Sequence, residues 1–396
     1  MKKISLYVFF LMLVMMLYNC KSAIEINTEI KDMNERLNSF LDNKILRNEF
    51  PGIQYIVVDR NQIIYSYVGG FSDVINKKPM TFNNTLNTFS TTKLITAIAI
   101  LQLMEKGKLK LDDKVSVYIK DIPYREITIR NVLSHSSGIP NPVLGRFYIH
   151  WEDEHKTFDR EELLDKVLSK NSKLKYNPDT KIKYSNLGYA ILGKVIEVIS
   201  GTSYEKYVQQ NIFDRFDIDN KLCHFKSQKY SDSAKPYYKA NSVIYNIMKL
   251  FLKGVKAKKE GKWKTLDKNW YFNFPAHGGI IVSAREYAKL FQDLLKDDSK
   301  LLSKTSKELF FSEQIKYKKS RRAIGWSIRE FEGIKYYSHT GGGLGYVSAV
   351  RYYPEYNIIS VLQINRTNIK ALNILNQLDK EIIEEIDIKP KSYFSD

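Results

Sequence analysis

The chain has 396 residues, of which 43% are hydrophobic, and its 20 Phe and 27 Tyr can fill one large core or two smaller ones, as in a folded soluble protein. The net charge is +18, from 62 basic and 44 acidic residues. Because the lysines are scattered and no nucleic-acid-binding motif accompanies them, we predict no nucleic acid partner.

The first twenty residues have the form of an export signal. Lys2 and Lys3 precede an apolar run at 4–17, which is too short to span a bilayer comfortably. The run leads through Tyr-Asn to Cys20 and resembles a bacterial lipoprotein box, which implies that Cys20 carries lipid. Cys223 is then the one remaining thiol, so we predict no intrachain disulfide and a protein anchored outside the cytoplasmic membrane.

Two β-rich runs and one buried helix follow. Residues 24–40 mix polar and apolar side chains and indicate a tether that runs into a helix. The runs at 53–59 and 63–68 are separated by three polar residues, which predicts a β-hairpin. Residues 94–104 are apolar on nearly every side, so the helix they predict belongs in the middle of a domain and ends at Gly107.

From residue 108 to about residue 270 the pattern is mostly helical, and it includes predicted helices at 129–133 and 187–199. Strand patterns return later and precede a final helix at about 368–385. They cover residues 324–329, 334–337, 346–353 and 358–364. We therefore predict an α+β fold, in which an antiparallel sheet flanked by helices is built from both ends of the chain and a mostly helical domain is inserted between them.

The predicted domain organisation has three parts. Residues 1–19 form a signal peptide of the lipoprotein type, and residues 20–48 form the tether and the first helix. Residues 49–390 form the folded domain, with the helical insertion at about 108–275. We expect a cleft where the sheet and the insertion meet.

Ser90 and Lys93 stand one turn apart at the start of the buried helix at 94–104. Side chains at i and i+3 share a helix face. The unpaired N–H groups and the positive dipole end of a helix start favour negative charge on a serine oxygen. A half-buried lysine has a lowered pKa and can act as a base. We predict that Ser90 is a nucleophile and Lys93 its base.

The same Ser-x-x-Lys spacing recurs at 172–175 and at 203–206, as expected in a lysine-rich chain. The alternative interpretation is that Ser90 caps the helix while Lys93 extends its charged end to water. Of the three copies, only the one at Ser90 opens a long buried helix, which favours the catalytic interpretation.

Two further motifs supply partners for Ser90. Tyr184 and Asn186 open the second buried helix, so their side chains can project into the cleft. A nearby lysine ammonium would lower the pKa of the phenol. His339 and Thr340 precede three glycines between two strand patterns. Glycine there allows close approach of a substrate backbone, and a free N–H paired with that of Ser90 would form an oxyanion hole.

The ordered set of Ser-Thr-Thr-Lys at 90–93, Tyr-Ser-Asn at 184–186 and His-Thr-Gly at 339–341 resembles the serine β-lactamase and penicillin-binding-protein superfamily. The resemblance is strongest to the class C β-lactamase-like branch, which includes D-alanyl-D-alanine carboxypeptidases, D-aminopeptidases and carboxylesterases. It covers nearly all of the mature chain. It implies a β-lactamase/transpeptidase-like fold and serine hydrolase activity for residues 49–390.

The resemblance also implies a role for each site residue. Ser90 is the acylated nucleophile, Lys93 its proton acceptor or relay, and Tyr184 the general base for acylation and deacylation. The N–H groups of Ser90 and Gly342 form the oxyanion hole. The chemistry needs no metal and no cofactor, and we predict none. The implied substrate-binding residues are Asn186, His339, Thr340 and Gly341.

His339 departs from the pattern of true class C β-lactamases, which carry lysine there as a fixed cation for the substrate carboxylate. Histidine is neutral or charged depending on pH, and it is common in the peptidase and esterase members. We therefore predict a lipid-anchored serine hydrolase of the bacterial envelope that cleaves a D-amino-acid peptide or a carboxylic ester. The alternatives are a non-catalytic penicillin-binding-like envelope protein and a true β-lactamase.

The other histidines have structural interpretations. We expect His135 to bond backbone and His277 to be structural, although His277 lies near the expected cleft. His150 and His155 have the spacing of a metal pair, but the acidic segment between them indicates an exposed loop, and we predict no metal there.

The stretch at 241–264 combines an apolar stripe at helical spacing with a dense run of lysines, including Lys256, Lys258 and Lys259. One interpretation is a lid helix whose lysines are solvated. The other is an interfacial helix that binds anionic lipid as a second membrane contact beside the lipid anchor. Both interpretations predict a helix.

Overall fold

The computed structural model describes residues 32–142, 147–219, 221–227, 232–243, 245–246, 257–266, 268–367 and 373–388. The predicted signal peptide, Cys20 and the start of the tether lie outside these residues. The described residues form two compact units, one of residues 32–47 with 373–388 and one of residues 48–367. No helix in the described ranges is both long enough and apolar enough to cross a membrane.

The helices in chain order are α1 (32–46), α2 (Thr92–Glu105), α3 (Ile129–Leu133), α4 (Arg160–Lys170), α5 (Asn186–Ser200), α6 (Tyr204–Val208), α7 (Ala284–Asp293), α8 (Lys304–Phe311) and α9 (Ile374–Ile388). The strands are β1 (Gly52–Val58), β2 (Ile63–Asp73), β3 (Lys78–Pro79), β4 (Leu86–Asn87), β5 (Ile149–Trp151), β6 (Cys223–His224), β7 (Tyr237–Lys239), β8 (Ala257–Glu260), β9 (Trp263–Leu266), β10 (Trp270–Phe272), β11 (Ile281–Val282), β12 (Ile315–Tyr317), β13 (Ser320–Arg322), β14 (Ser327–Phe331), β15 (Ile334–Gly343), β16 (Tyr346–Tyr353) and β17 (Ile358–Ile364).

The smaller unit consists of α1 and α9. Met33, Leu37 and Leu41 of α1 are buried and follow the spacing of one helix face. Arg36, on another face, lies 3.9 Å from a carboxylate oxygen of Glu381 in α9. The first and last described helices therefore belong to the same unit although they stand at opposite ends of the chain.

The larger unit is built on a nine-stranded sheet in the order β12-β13-β14-β15-β16-β17-β1-β2-β3. Every neighbouring pair is antiparallel. In the middle of the sheet β1 pairs with β17, so that Ile53 lies opposite Ile364. The prediction of an α+β fold with a sheet assembled from both ends of the chain is confirmed.

Two buried helices pack in the core of this unit. All residues of α2 from Thr92 to Leu103 are buried, as its continuous apolar sequence predicts. The helix stops at Gly107, which has a φ of +66° and whose N–H bonds the carbonyl of Met104. Helix α5 begins at the cap Ser185, whose hydroxyl accepts a hydrogen bond from the Gly188 N–H at 3.1 Å.

The predicted helical insertion at about 108–275 contains α3 to α6, but it also contains the short strands β5 to β10. Strands β7, β9 and β8 form a small antiparallel sheet, and β10 pairs with β5. Six short strands were therefore missing from the prediction. Each has two to four residues, which is too few to give a periodic pattern.

The prediction of one helix over 241–264 is wrong for its C-terminal part. Strands β8 and β9 form a hairpin, with Lys259 opposite Lys264 and a turn at Gly261, which has a φ of +52°. Trp263 and Thr265 are buried, and Lys264 between them is half-buried. Residues 244 and 247–256, including Lys256, lie outside the described residues.

Candidate active site

Ser90 lies in a single 3-10 turn, Phe89–Thr91, that leads directly into α2. Phe89 has a φ of +47°, which is unusual for a residue with a side chain. The side chain of Asn87 holds this conformation by accepting a hydrogen bond from the Phe89 N–H at 2.7 Å. The hydroxyl of Ser90 makes no capping bond to the helix and is partly exposed, so it remains accessible.

Lys93 points from the first turn of α2 into the core and has no exposed surface. Its Nζ lies 3.3 Å from Ser90 Oγ, 2.8 Å from Asn186 Oδ1 and 2.6 Å from the carbonyl oxygen of His277. Burial among these uncharged oxygens lowers the pKa of Lys93 well below its usual value of 10.5.

Tyr184 approaches Ser90 from the segment that precedes α5. Its hydroxyl donates a hydrogen bond to Ser90 Oγ at 2.6 Å, and Lys93 Nζ lies 4.9 Å from the centre of its ring. Burial raises the pKa of Tyr184 above its usual value, so the predicted lowering by a lysine ammonium is wrong for the free site.

The hydrogen bonds of this cluster meet at Lys93 Nζ and Ser90 Oγ. Lys93 Nζ donates to Ser90 Oγ, to Asn186 Oδ1 and to the carbonyl oxygen of His277, all of which are uncharged oxygens. Ser90 Oγ accepts hydrogen bonds from both Lys93 Nζ and the Tyr184 hydroxyl. Because burial lowers the pKa of Lys93 and raises that of Tyr184, the site favours the neutral form of both side chains.

Asn186 is the first residue of α5 and serves the cluster through its side chain. Its Oδ1 accepts from Lys93, and its Nδ2 donates to the hydroxyl of Tyr148 at 3.3 Å. Its N–H is held by the side-chain oxygen of Asn141 at 2.8 Å. In the free protein the side chain of Asn186, a predicted substrate-binding residue, thus bonds both Lys93 and Tyr148.

The end of β15 lies against the Ser90 turn. Strand β14 pairs with β15 only as far as Ser338, so the residues from His339 to Gly343 extend beyond it. A Cβ atom on Gly341 would lie 2.1 Å from the Thr88 carbonyl oxygen and 2.8 Å from the Ser90 nitrogen, so only glycine fits there. Strand and nucleophile are therefore adjacent, and Thr340 is exposed beside them.

His339 is buried and donates a hydrogen bond from Nδ1 to the carbonyl oxygen of Gly325 at 2.5 Å. Burial is the main cause, and the nearby Lys93 a smaller one, of a pKa of His339 lowered to about 3. The expectation that His339 changes charge near neutral pH is wrong. At physiological pH it is a neutral hydrogen-bonding group.

This geometry agrees with comparisons to known proteins. The family model described as Beta-lactamase matches residues 33–382 of the chain. The protein belongs to the beta-lactamase family. It is 27% identical over 309 residues to penicillin-binding protein 4* of Bacillus subtilis, a match that covers 76% of this chain and 64% of that relative, less than two thirds of its length.

Solved structures show the same fold. The octameric penicillin-binding protein homologue from Pyrococcus abyssi superposes with a TM-score of 0.70 at 24% identity, over 89% of this chain and 78% of that one. The D-amino acid amidase from Ochrobactrum anthropi superposes with a TM-score of 0.72 at 18% identity, over 90% of this chain and 99% of that one. These likenesses establish the β-lactamase/transpeptidase-like fold predicted from the sequence.

Two residues of this beta-lactamase family member hold the cluster and were not predicted. The carbonyl of His277 binds Lys93, and the pair Gly278-Gly279 after it was the available signal, because a Cβ on Gly279 would lie 2.7 Å from Pro275 Cα. Tyr148 bonds Asn186 and donates to the Pro142 carbonyl at 3.0 Å. No sequence pattern distinguishes it from the other tyrosines.

The remaining histidines hold the scaffold of this family member. His135 accepts a hydrogen bond from the Ser185 N–H at 3.3 Å, which confirms the prediction that it bonds backbone. His150 and His155 bond each other through Nε2 and Nδ1 at 2.8 Å, and His150 Nδ1 bonds the side-chain oxygen of Asn273 at 2.7 Å.

Proposed function

We propose that this protein is a serine hydrolase that cleaves an ester or an amide through an acyl-enzyme at Ser90. The observation that carries the proposal is the position of Ser90 Oγ, 2.6 Å from the Tyr184 hydroxyl and 3.3 Å from Lys93 Nζ. A buried amine with a lowered pKa accepts a proton readily near neutral pH.

Acylation begins with a neutral Lys93 and a protonated Tyr184, the forms that burial of the two side chains favours. As Ser90 Oγ bonds the substrate carbonyl carbon, its proton passes to Lys93, and the N–H groups of Ser90 and Gly342 bind the oxyanion. The tetrahedral intermediate then collapses, and the leaving group departs with the proton of Tyr184. Lys93 is now an ammonium beside a Tyr184 phenolate, and each charge stabilises the other.

Deacylation reverses these transfers. Water gives a proton to the Tyr184 phenolate as its oxygen attacks the acyl carbon. Ser90 Oγ then leaves the second intermediate and takes its proton back from Lys93. The cycle ends with the three neutral groups with which it began, so protons balance without another acid or base. In the acyl-enzyme, the Lys93 ammonium lowers the pKa of Tyr184, which is the effect predicted from the sequence.

The substrate class is an uncharged or acidic acyl compound, such as a D-amino-acid amide, a peptide or a carboxylic ester. The D-amino acid amidase from Ochrobactrum anthropi shares the fold of this protein. Efficient β-lactam hydrolysis is disfavoured because His339 is neutral and offers no cation. His339, Thr340 and Gly341 line the strand along which the substrate lies, and Asn186 keeps Lys93 in place.

The proposed location is the outside of a bacterial membrane, reached through the signal peptide at 1–19 and held by lipid on Cys20. Exposed Lys258, Lys259 and Lys262 on the β8–β9 hairpin support an added attraction to an anionic surface. Labelling of living cells with an alkyne fatty acid tests the anchor, because Cys20→Ser should abolish the label. Retention of label in that variant would disprove the anchor.

The central experiment is covalent labelling of the full-length protein with a fluorescent fluorophosphonate and with a fluorescent penicillin, followed by a screen of esters, D-amino-acid amides and a chromogenic cephalosporin. We expect fluorophosphonate labelling that Ser90→Ala abolishes, and turnover of an ester or amide. A protein that neither labels nor turns over any of these compounds is the non-catalytic alternative. Rapid turnover of the cephalosporin would make it a true β-lactamase.

A further inference from the structure

A second groove lies between α4 and β5, apart from the catalytic cluster of Ser90, Lys93 and Tyr184, none of which lines it. It has a volume of about 600 Å³. The ring of Phe147 lines this groove and also stacks on the ring of His277, with 5.5 Å between the ring centres, so the groove shares a wall with the candidate active site. Its floor is apolar and consists of Phe147, Ile149, Leu163 and Val167.

Strand β5 presents an open sheet edge to this groove. β5 pairs with β10 alone, so among the described residues no strand lies along its other edge. The hydrogen bonds to β10 and its flanks include those of Tyr148 and Glu152, so the ladder alternation directs the backbone groups of Ile149 and Trp151 to the outer edge. The Trp151 N–H donates to a carboxylate oxygen of Glu154 at 3.2 Å, and Glu154 lines the groove. The outer edge of β5 therefore faces the groove.

The exposed rim of the groove changes sign along α4. Glu162, Lys166 and Lys170 line the groove, and their spacing of four residues places them on one side of the helix. From Glu162 to Lys170 the helix rises about 12 Å. An extended peptide of about four residues has the same length, at about 3.3 Å per residue. Its ammonium can pair with Glu162 and its carboxylate with the two lysines.

We propose that the groove between α4 and β5 binds a short extended peptide, which adds a strand to the outer edge of β5. The N–H and carbonyl of Ile149 bond the peptide backbone, alternate side chains of the peptide lie on the apolar floor, and its charged ends pair with the rim. A peptide fits better than a fatty acid because a lipid chain cannot bond the sheet edge. This site lies beyond the proposed hydrolase function and does not depend on it.

The test is isothermal titration calorimetry with the L-tetrapeptide Ala-Val-Ala-Val. Full-length Ser90→Ala is the background for every titration, so that the peptide is not acylated onto the protein. We expect saturable binding. Two copies of the peptide, methylated on the nitrogen of the first or of the middle amide, should differ about 10-fold in Kd, because successive N–H groups of a strand point to opposite sides.

The matched variants remove two exposed lysines each. Lys166→Gln/Lys170→Gln should weaken binding of the unmodified peptide about 3- to 10-fold, because it removes the cations that pair with the peptide carboxylate. Lys156→Gln/Lys173→Gln removes two exposed cations that do not line the groove and should leave the Kd unchanged.

Each other result overturns the proposal. No saturable binding, equal effects of the two methylations, or equal Kd values for the two lysine variants would show that the peptide does not bind here as a strand. Binding of sodium decanoate that depends on Lys166 and Lys170, without binding of the tetrapeptide, would make the occupant a fatty acid. None of these titrations uses the Ser90 hydroxyl, so the proposed function fails or stands separately, by fluorophosphonate labelling.

Discussion

The chain carries the same short pattern, Ser-x-x-Lys, at two helix starts with different results. Ser203 is the N-cap of α6, and its Oγ accepts a hydrogen bond from the Lys206 N–H at 3.2 Å. The side chains of Ser203 and Lys206 are exposed. Ser90 precedes α2 without capping it, and the Lys93 side chain is fully buried. The spacing is the same, but only one copy can do acid–base chemistry.

The difference lies in the turn before the helix. Ser203 is itself the capping residue, so its oxygen faces the unpaired N–H groups of the first turn. Ser90 is one residue before the cap of α2, in the 3-10 turn that Phe89 opens with a positive φ. Its oxygen therefore faces Tyr184 and Lys93 instead of the helix. The hydroxyl of Ser90 is available for catalysis because it does not cap the N–H groups of the helix.

The largest expected effect is on catalytic activity, which should depend on Ser90 and not on Ser203. Ser90→Ala should lower turnover by about 10⁴-fold or more and abolish fluorophosphonate labelling, because it removes the atom that is acylated. Ser203→Ala should label at the wild-type rate. The measurement is gel fluorescence after timed labelling of both variants. Labelling of Ser90→Ala at the wild-type rate would place the nucleophile elsewhere.

The next effect separates the two lysines. Lys93→Ala and Tyr184→Phe should each lower kcat/KM by about 10²- to 10⁴-fold, because both groups move protons in every turnover. The kcat/KM of the double variant should be about that of the slower single variant, since the two groups act in the same proton transfers. Lys206→Ala is the control and should keep full activity. Losses that multiply would show that Lys93 and Tyr184 act independently.

A smaller effect concerns stability as a function of pH. The pKa of Lys93 is lowered by folding, so between its folded value and 10.5 the unfolded chain binds more protons than the folded one. Stability should therefore rise with pH across this window, by up to about 1.4 kcal/mol per pH unit. Relative to Lys93→Met, the wild type should gain stability as the pH rises.

Urea unfolding at several pH values from about 7 to about 10 measures this gain as the difference between the wild type and each variant. Lys206→Met, at the exposed copy of the motif, should show a difference that does not change with pH. A constant difference for Lys93→Met as well would mean that Lys93 is protonated in the folded protein. That result would remove the neutral base from the proposed function.

The smallest expected effect is on stability, where Ser203 should contribute more than Ser90. Ser203→Ala should lower the free energy of unfolding by about 1 kcal/mol, because it removes a helix cap. Ser90→Ala should lower it by less, since Ser90 Oγ caps nothing. Urea unfolding of both variants near neutral pH makes the comparison, and Ser203→Asp, which can still cap, serves as the control. Equal losses would show that Ser90 also supports its helix.

The parts of the fold that sequence predicts are those with local patterns. The helix predicted at 94–104 is α2, and the strand patterns at 346–353 and 358–364 are β16 and β17. Ser90, Lys93 and Tyr184 stand at helix starts, so their proximity could be inferred from order and spacing. The periodicity of each segment predicts its secondary structure without knowledge of the segments that pack against it.

The protonation of the site could not be predicted, because it depends on residues that are distant in sequence. Burial lowers the pKa of Lys93, and its partners include the oxygens of Asn186 and His277 instead of a carboxylate. The hairpin of β8 and β9 was missed for a related reason. Its lysines come directly after an apolar stripe at helical spacing, which made the whole stretch look like one helix. The turn at Gly261 is the better indicator of the structure there.

The pairing of β1 with β17 also determines when the sheet can form during synthesis of the chain. Ile53 needs Ile364 as its partner, so the middle of the sheet has no closing strand until nearly the whole chain has been synthesised. Contacts this distant in sequence form slowly, because a long loop must close before they contribute. β17 also borders β16, which in turn holds the glycine strand against the Ser90 turn. A nascent chain that still lacks its last strand therefore carries the serine, the lysine and the tyrosine without the wall that completes their site.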